Sequence, residues 1–363
     1  MKYIDEFRDP QLARKLLANI AARSKRPVRF MEFCGGHTHA IFRHGLRQML
    51  PPTVELRSGP GCPVCVTANA DLDRAIAMAK LPNVIMTTFG DMIKVPGSRG
   101  SLRVAKAEGA DVRIVYSALD ALKIARDDPE RSVVFLGIGF ETTAPTVAAS
   151  ILEAEVRGLT NFYVLSLHKL TPPATRAILE AGEVRLSGII GPGHVTTIVG
   201  SDAWGFLPRD YAVPCAVAGF EPLDILRAVA ALVEMVEEGQ PAVVNTYARS
   251  VCPEGNRTAL DVMHRVFELS EAEWRGLGSV PASGLTLRSE YARFDAALAL
   301  PVDPGPTLEH EGCRCGDVLR GVVEPPACPL FHQVCTPVHP IGPCMVSDEG
   351  ACAAWYQYGE MNV

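Results

Sequence analysis

SVVFLGIGFETTAP (residues 132–145) opens with a run, Val133 to Leu136, that is apolar on both alternating faces, then breaks at glycines and passes into a helical pattern. A strand without a polar face has to be covered on both sides, which is how strands of a parallel sheet flanked by helices read. The same order stands upstream in VRFMEFC (28–34), TVELRSG (53–59), NVIMTTFG (83–90) and VRIVYS (112–117). It recurs downstream in NFYVLSLHK (161–169), SGIIGPGHV (187–195) and YAVPCAVAGFEP (211–222). The helical stretch VYSALDALKIA (115–125) has a counterpart in VAGFEPLDILRAVA (217–230), so the series restarts near Ser132. The fold expected is α/β, with two tandem parallel-sheet domains at 1–129 and 130–240. An amphipathic helix over 5–24 precedes them, with Phe7, Leu12, Leu16, Leu17 and Ile20 at helical spacing. From Pro241 onward a helix at 258–270 and another at 290–299 lead, past PVDPGP (301–306), to a strand-poor tail. The third domain, 241–363, is therefore expected to be helical or irregular, and too open to hold itself together by a core alone.

The chain has 363 residues, 48% hydrophobic and 21% charged, enough for two or three domains at roughly 100–200 residues each. Its longest apolar runs, such as Val133–Phe140 and Ala228–Val233, fall short of the ~18–20 residues that span a bilayer. The opening MKYIDEFRDP carries acidic residues where an export signal needs an apolar stretch, so a cytoplasmic protein is expected. A net charge of −6 without a Lys/Arg block argues against a nucleic-acid partner, because phosphate affinity depends on clustered cations.

Eleven cysteines in such a chain are better read as metal ligands or redox thiols than as structural cross-links. Six of them, Cys313, Cys315, Cys328, Cys335, Cys344 and Cys352, crowd into the tail without a CxxC. Zinc knuckles come as paired CxxC motifs, whereas a larger iron–sulfur cluster accepts dispersed thiolates and would supply the missing cross-links. Cys315, Cys328, Cys335 and Cys352 are the expected cluster ligands, with Cys344 and Cys313 as alternatives.

At the front, FCGGHTH (33–39) follows the first strand. Gly35 and Gly36 let the backbone approach a ligand, and a helix N-terminus behind Cys34 is expected to lower its thiol pKa. Glu32 lies on the same side of the strand; His37 and His39 are candidate ligands or proton carriers, or simply hydrogen-bonded structural residues. SGPGCPVC (58–65) places Cys62 and Cys65 in a CxxC, suited to a reversible disulfide or to a soft metal. Asp91, Glu141 and His194 sit on glycine-shaped loops after later strands, as an inter-domain cleft requires. The GIGFET stretch lacks the third glycine of a dinucleotide fingerprint and no GxxxxGK[ST] occurs. Met31, Met49 and Met86 read as core, and Cys215 and Cys252 as inert buried residues.

Taken together, MEFCGGHTHAI, RSGPGCPVC, TTFGDMIKVPGS, GFETTAPT, GPGHV, CAVAGFEP, CGDVLRG and PIGPCMVSDEGACAAWY closely resemble the HypD family of nickel–iron hydrogenase maturation proteins, over nearly the whole chain. The resemblance implies a four-iron four-sulfur cluster in the C-terminal domain, a small partner HypC, and cyanide delivered by HypE. It implies a scaffold on which iron receives two cyanides and one carbon monoxide, with the iron-site cysteines at Cys34, Cys62 and Cys65. On this reading Cys34 binds iron directly, Cys62 and Cys65 form the redox pair, and His37, Asp91, Glu141 and His194 handle protons around them. The chain is expected to be monomeric alone, and whether it turns over as an enzyme is left open. A competing class is an iron–sulfur-dependent thiol–disulfide oxidoreductase acting through Cys62 and Cys65.

Overall fold

The computed structural model describes residues 5–359. Nine short strands build two parallel sheets: β1 (Val28–Glu32), β2 (Val54–Ser58), β3 (Val84–Thr88), β4 (Asp111–Ile114), β5 (Ser132–Gly137), β6 (Phe162–Ser166), β7 (Gly188–Pro192), β8 (Cys215–Ala218) and β9 (Val243–Asn245). All but β9 lie where the apolar runs put them. The first sheet has the order β2-β1-β7-β8-β9 and the second β4-β3-β5-β6. The α/β class, the two parallel sheets and the irregular cysteine-rich end are thus those the sequence leads one to expect.

The strands assort differently from a cut at residues 129 and 130. Phe30 in β1 pairs with Gly188 in β7, so the first sheet is made of both ends of the α/β region and the second is inserted between them. The physical reason is that a run buried on both faces specifies a strand and its cover but not which of several equally apolar edges it joins. β3 and β7, buried at every residue, are interchangeable on that criterion.

Three apolar layers hold the assembly. One lies between the sheets and takes in Met31, Met86, Val134, Ile189 and Val217 with Cys62, Cys65 and the tail thiols. A second covers the far face of the second sheet, and a third joins the far face of the first sheet to the helices Pro10–Arg23 and Pro222–Glu238. Met31 and Met86 are in the core as expected, but Met49 is half exposed.

Beyond Pro241 the structure departs from a simple helical domain. The helix at Arg257–Val266 stops at Phe267, where an antiparallel hairpin begins, β10 (Phe267–Trp274) and β11 (Gly278–Leu287). Phe267 and Trp274 at the ends of FELSEAEW are buried, a bulge between Ser270 and Ala272 interrupts the alternation and leaves Leu269 exposed, and Gly276 and Gly278 take the left-handed backbone of the turn. Phe267, Leu285 and Leu287 pack into the core of the second sheet, so this part of 241–363 belongs to the α/β body. The expected helix at 290–299 is a 3-10 turn, Ser289–Phe294, followed by the single turn Ala296–Ala299. Only the stretch after Leu300 is strand-free.

Candidate functional site

The strand order reverses between β1 and β7 in the first sheet and between β3 and β5 in the second, and ligands of such sheets bind in the crevice beyond those reversals. Cys34 and His194 follow β1 and β7; Asp91 and Glu141 follow β3 and β5. Cys34 is the N-cap of the helix Gly35–Arg43 and is partly exposed. The backbone amides of Gly36 and His37, at the start of that helix, lower its thiol pKa, while the His37 N–H donates to the Cys34 carbonyl at 2.9 Å. Beneath it the fully buried Glu32 carboxylate accepts the Cys34 N–H at 3.1 Å and the Thr38 hydroxyl.

The expected low thiol pKa is not found: burial, Glu349 and Glu32 push Cys34 up to about 12, against the two amides. Two nearby carboxyls and a desolvated sulfur outweigh one helix N-terminus. Burial also pushes Glu32 up to about 8, despite its hydrogen bonds from Thr38 and Cys34.

His37 is wholly buried, and burial pushes it down to about 4. Its Nε2 lies 3.2 Å and 3.0 Å from the carbonyls of Ala218 and Gly219. Carbonyls only accept, so Nε2 carries the proton and Nδ1 presents a bare lone pair, which has no partner. Phe220, which the sequence reading passed over, stacks on both imidazoles, 4.6 Å from His37 and 3.9 Å from His194. Burial lowers the His194 pKa as well. The loop 218–221 is anchored by the buried Asp224, which accepts from Arg249 at 2.8 and 2.5 Å and from the Glu221 N–H at 3.3 Å. His39 instead meets Tyr358 edge-on at 5.5 Å, a packing contact.

The CxxC loop lies directly against Cys34. Gly35 N–H donates to the Gly61 carbonyl at 2.9 Å, and a methyl group on Gly61 would collide with the Cys34 backbone. Cys62 and Cys65 are joined in a disulfide, so in this state neither is a thiolate ligand. Cys65 Sγ is 3.9 Å from the carbonyl of Pro343, the residue before Cys344. The tail closes the crevice from the other side. Ser347 donates to Asp91 at 3.0 Å, and Glu349 packs onto Gly35 so closely that no side chain would fit there. The atoms crowding Glu349, and then the Asp91 carboxylate, raise its pKa.

All six tail thiols line one small cavity. Cys315 and Cys344 touch, sulfur to sulfur, at 2.8 Å. Cys344 also contacts Cys352, and burial, then the neighbouring Cys315, pushes Cys313 up to about 12. Among the described residues no three His, Cys, Asp or Glu side chains converge tightly enough for a single metal ion. The helix Ala351–Tyr358, which carries Cys352, packs on the Cys34 helix through Trp355 and Phe42, 5.1 Å apart.

Glu141 is not spent on the crevice. It is fully buried, and its two oxygens accept the N–H and hydroxyl of Thr171 at 2.8 and 2.7 Å, capping the helix Thr171–Ala181. Burial pushes it up to about 7. Cys215 is buried, its thiol pushed far up by burial, as an inert residue should be; Cys252, expected to be buried too, is exposed. No helix among the described residues is long and apolar enough to cross a membrane.

A family model named HypD and described as the hydrogenase formation hypA family matches residues 11–359. The chain is 52% identical to a hydrogenase maturation factor HypD of Azotobacter vinelandii, over all of this chain and 98% of that protein. It is 48% identical to the Rhodobacter capsulatus factor of the same description, over 99% of this chain and 98% of the relative. With the Escherichia coli K12 factor it shares 45% identity over all of this chain and 99% of the other.

Proposed function

The chain belongs to the HypD family of hydrogenase formation proteins, and from that membership we propose that it is the cytoplasmic scaffold on which iron acquires two cyanides and one carbon monoxide before delivery to a nickel–iron hydrogenase. The observation that carries this reading is Cys34: a single free thiol at the strand-order reversal, at a helix N-terminus and with the CxxC loop bonded alongside. With Cys62 and Cys65 tied to each other, one thiolate from this chain leaves the iron to be completed by a donor from a small HypC-like partner, and cyanide to be brought by a HypE-like one. Binding iron displaces the Cys34 proton, so a high thiol pKa keeps the site inert until metal arrives. Thiolate donation then strengthens back-bonding from ferrous iron to cyanide and carbon monoxide, while the Gly36 and His37 amides favour the ionised sulfur.

His37 is held as a neutral imidazole with Nδ1 free to accept a proton or hydrogen bond, and His194, Asp91 and Glu349 are the remaining proton-handling groups of the crevice. Glu141 is left out, being occupied by Thr171.

For the tail, six dispersed thiols round one cavity fit a four-iron four-sulfur cluster better than zinc, whose sites usually come as paired CxxC knuckles that this segment lacks. All six thiols face the same space, so the four ligands are drawn from them, with Cys315, Cys328, Cys335 and Cys352 as the working set and Cys313 and Cys344 as alternatives. Such a cluster supplies one-electron chemistry when bound. Cys62 and Cys65 store two electrons as a dithiol, and the Cys65–Pro343 contact brings that pair against the segment bearing Cys344.

The test is complementation in a host lacking its own family member: the wild-type chain restores hydrogenase activity and Cys34→Ala does not. The formed Cys62–Cys65 bond also suits a thiol–disulfide oxidoreductase. That reading predicts activity retained without Cys34 and lost without Cys65.

A further inference from the structure

We infer that a cavity beside the tail thiols binds a small oxyanion, a carboxylate or a phosphate, with Arg275 as its anchor. The cavity measures about 340 Å³, within the range of small-molecule sites, and shares Cys313 and Cys315 with the lining of the space the six thiols face. Asn69, Ser98, Arg275, Glu309 and His310 supply its polar lining.

Arg275 is only 7% exposed. Its Nη2 donates to the Thr67 carbonyl at 3.0 Å and to Asn69 Oδ1 at 2.6 Å, both neutral acceptors, and its Nε has no partner. The one carboxylate it meets is Glu309, through a single 3.3 Å contact from Nη1, and that side chain is 66% exposed. A buried guanidinium ordinarily takes a fully paired, often bidentate, anion. Here the position of that anion is held by one weakly engaged group on an irregular strap.

The strap itself is fixed only next door: Leu308 N–H donates to Ser98 Oγ at 2.7 Å and the Leu308 carbonyl accepts from Asn69 at 2.8 Å. Glu309 can therefore swing out without unpinning the chain. An incoming oxyanion would take its place on Nη1. His310, whose Nδ1 accepts from the Gly312 N–H at 3.3 Å, would keep Nε2–H as a second donor at the rim.

The occupant would bear on both redox elements. Arg275 N–H donates to the Val66 carbonyl at 2.9 Å, one residue past the CxxC, while Cys313 and Cys315 form the facing wall. Arg275 also bears on Cys315, but the anion site is read by binding and the scaffold by hydrogenase activity, so the failure of one is separable from that of the other.

The test is titration calorimetry of the full-length protein with inorganic phosphate, acetate and citrate. It is paired with the fluorescence of Trp274, which is buried next to Arg275. One probe class should saturate at one per chain; phosphate alone or the carboxylates alone identifies the class. Glu309→Gln, on the surface, should tighten binding about tenfold by removing the competing charge, and Arg275→Lys should weaken it about tenfold by losing the planar fork. No saturable binding of any probe to the wild type or to Glu309→Gln overturns the inference. So does binding that both substitutions leave within about twofold.

Discussion

The crevice around Cys34 and the tail that closes it are held by opposite means. Cys34 is fixed by regular structure: β1 beneath it, a helix ahead of it, the Gly61 loop locked to it by a backbone hydrogen bond. The tail has short helical turns and no strand, and its six thiols stand where another domain would have a core. One region positions its chemistry by folding, the other is expected to fold by its chemistry.

The largest effect should therefore come from removing a tail thiol. The anaerobic wild-type protein should be brown with about four cluster irons per chain. Cys328→Ser or Cys335→Ser should abolish the colour and open amides of 313–352 to hydrogen exchange while those of β1 and β2 stay protected. Equal loss of protection in both regions would mean that they fold as one unit. Next comes Gly61→Ala, whose methyl meets the Cys34 backbone and should cost roughly 2–4 kcal/mol in urea unfolding. Gly35→Ala aims at the seam instead, since its methyl meets Glu349. It should raise exchange at 347–350 more than it lowers global stability.

How far the sequence was legible differs along the same line. Eight strand positions, the crevice and the motifs on its rim followed from apolar runs ending in glycine loops, because burial on both faces is a local property. Sheet membership was not, since nothing in β1 says that its partner is β7 rather than β3. The Cys34 pKa was misjudged because its sign is decided by burial under the folded tail, with Glu349, over three hundred residues away in sequence, adding to it. Phe220 gave no signal of its own: only the fold sets it between two histidines. In the tail, spacing could not say that all six thiols face one cavity, because only the fold brings Cys313 and Cys315 against Cys344 and Cys352.

A smaller effect separates Glu141 from the crevice. Its carboxyl titrates near 4.5 when unfolded and near 7 when folded, so the folded chain holds a proton the unfolded chain has lost between those values. Stability is thus full below pH 4.5 and declines as pH rises through 7, by roughly 1–3 kcal/mol. Glu141→Gln should flatten that part of a melting-temperature profile. An unchanged slope would show that another group sets it. The smallest effect is expected at Cys252, exposed and outside the cavity that the tail thiols line, where Cys252→Ser should stay within about 0.5 kcal/mol of wild type.

The most direct measurement is infrared spectroscopy of the anaerobic, partner-bound protein in the region where metal-bound cyanide and carbon monoxide absorb. Cys34→Ala should lose those bands while keeping the tail's visible absorption, and Cys34→Ser should be nearly as damaging, a hydroxyl being a poorer ligand for low-spin iron. Bands of unchanged strength in Cys34→Ala would show that iron is held elsewhere, and the assignment of Cys34 as its ligand would be wrong.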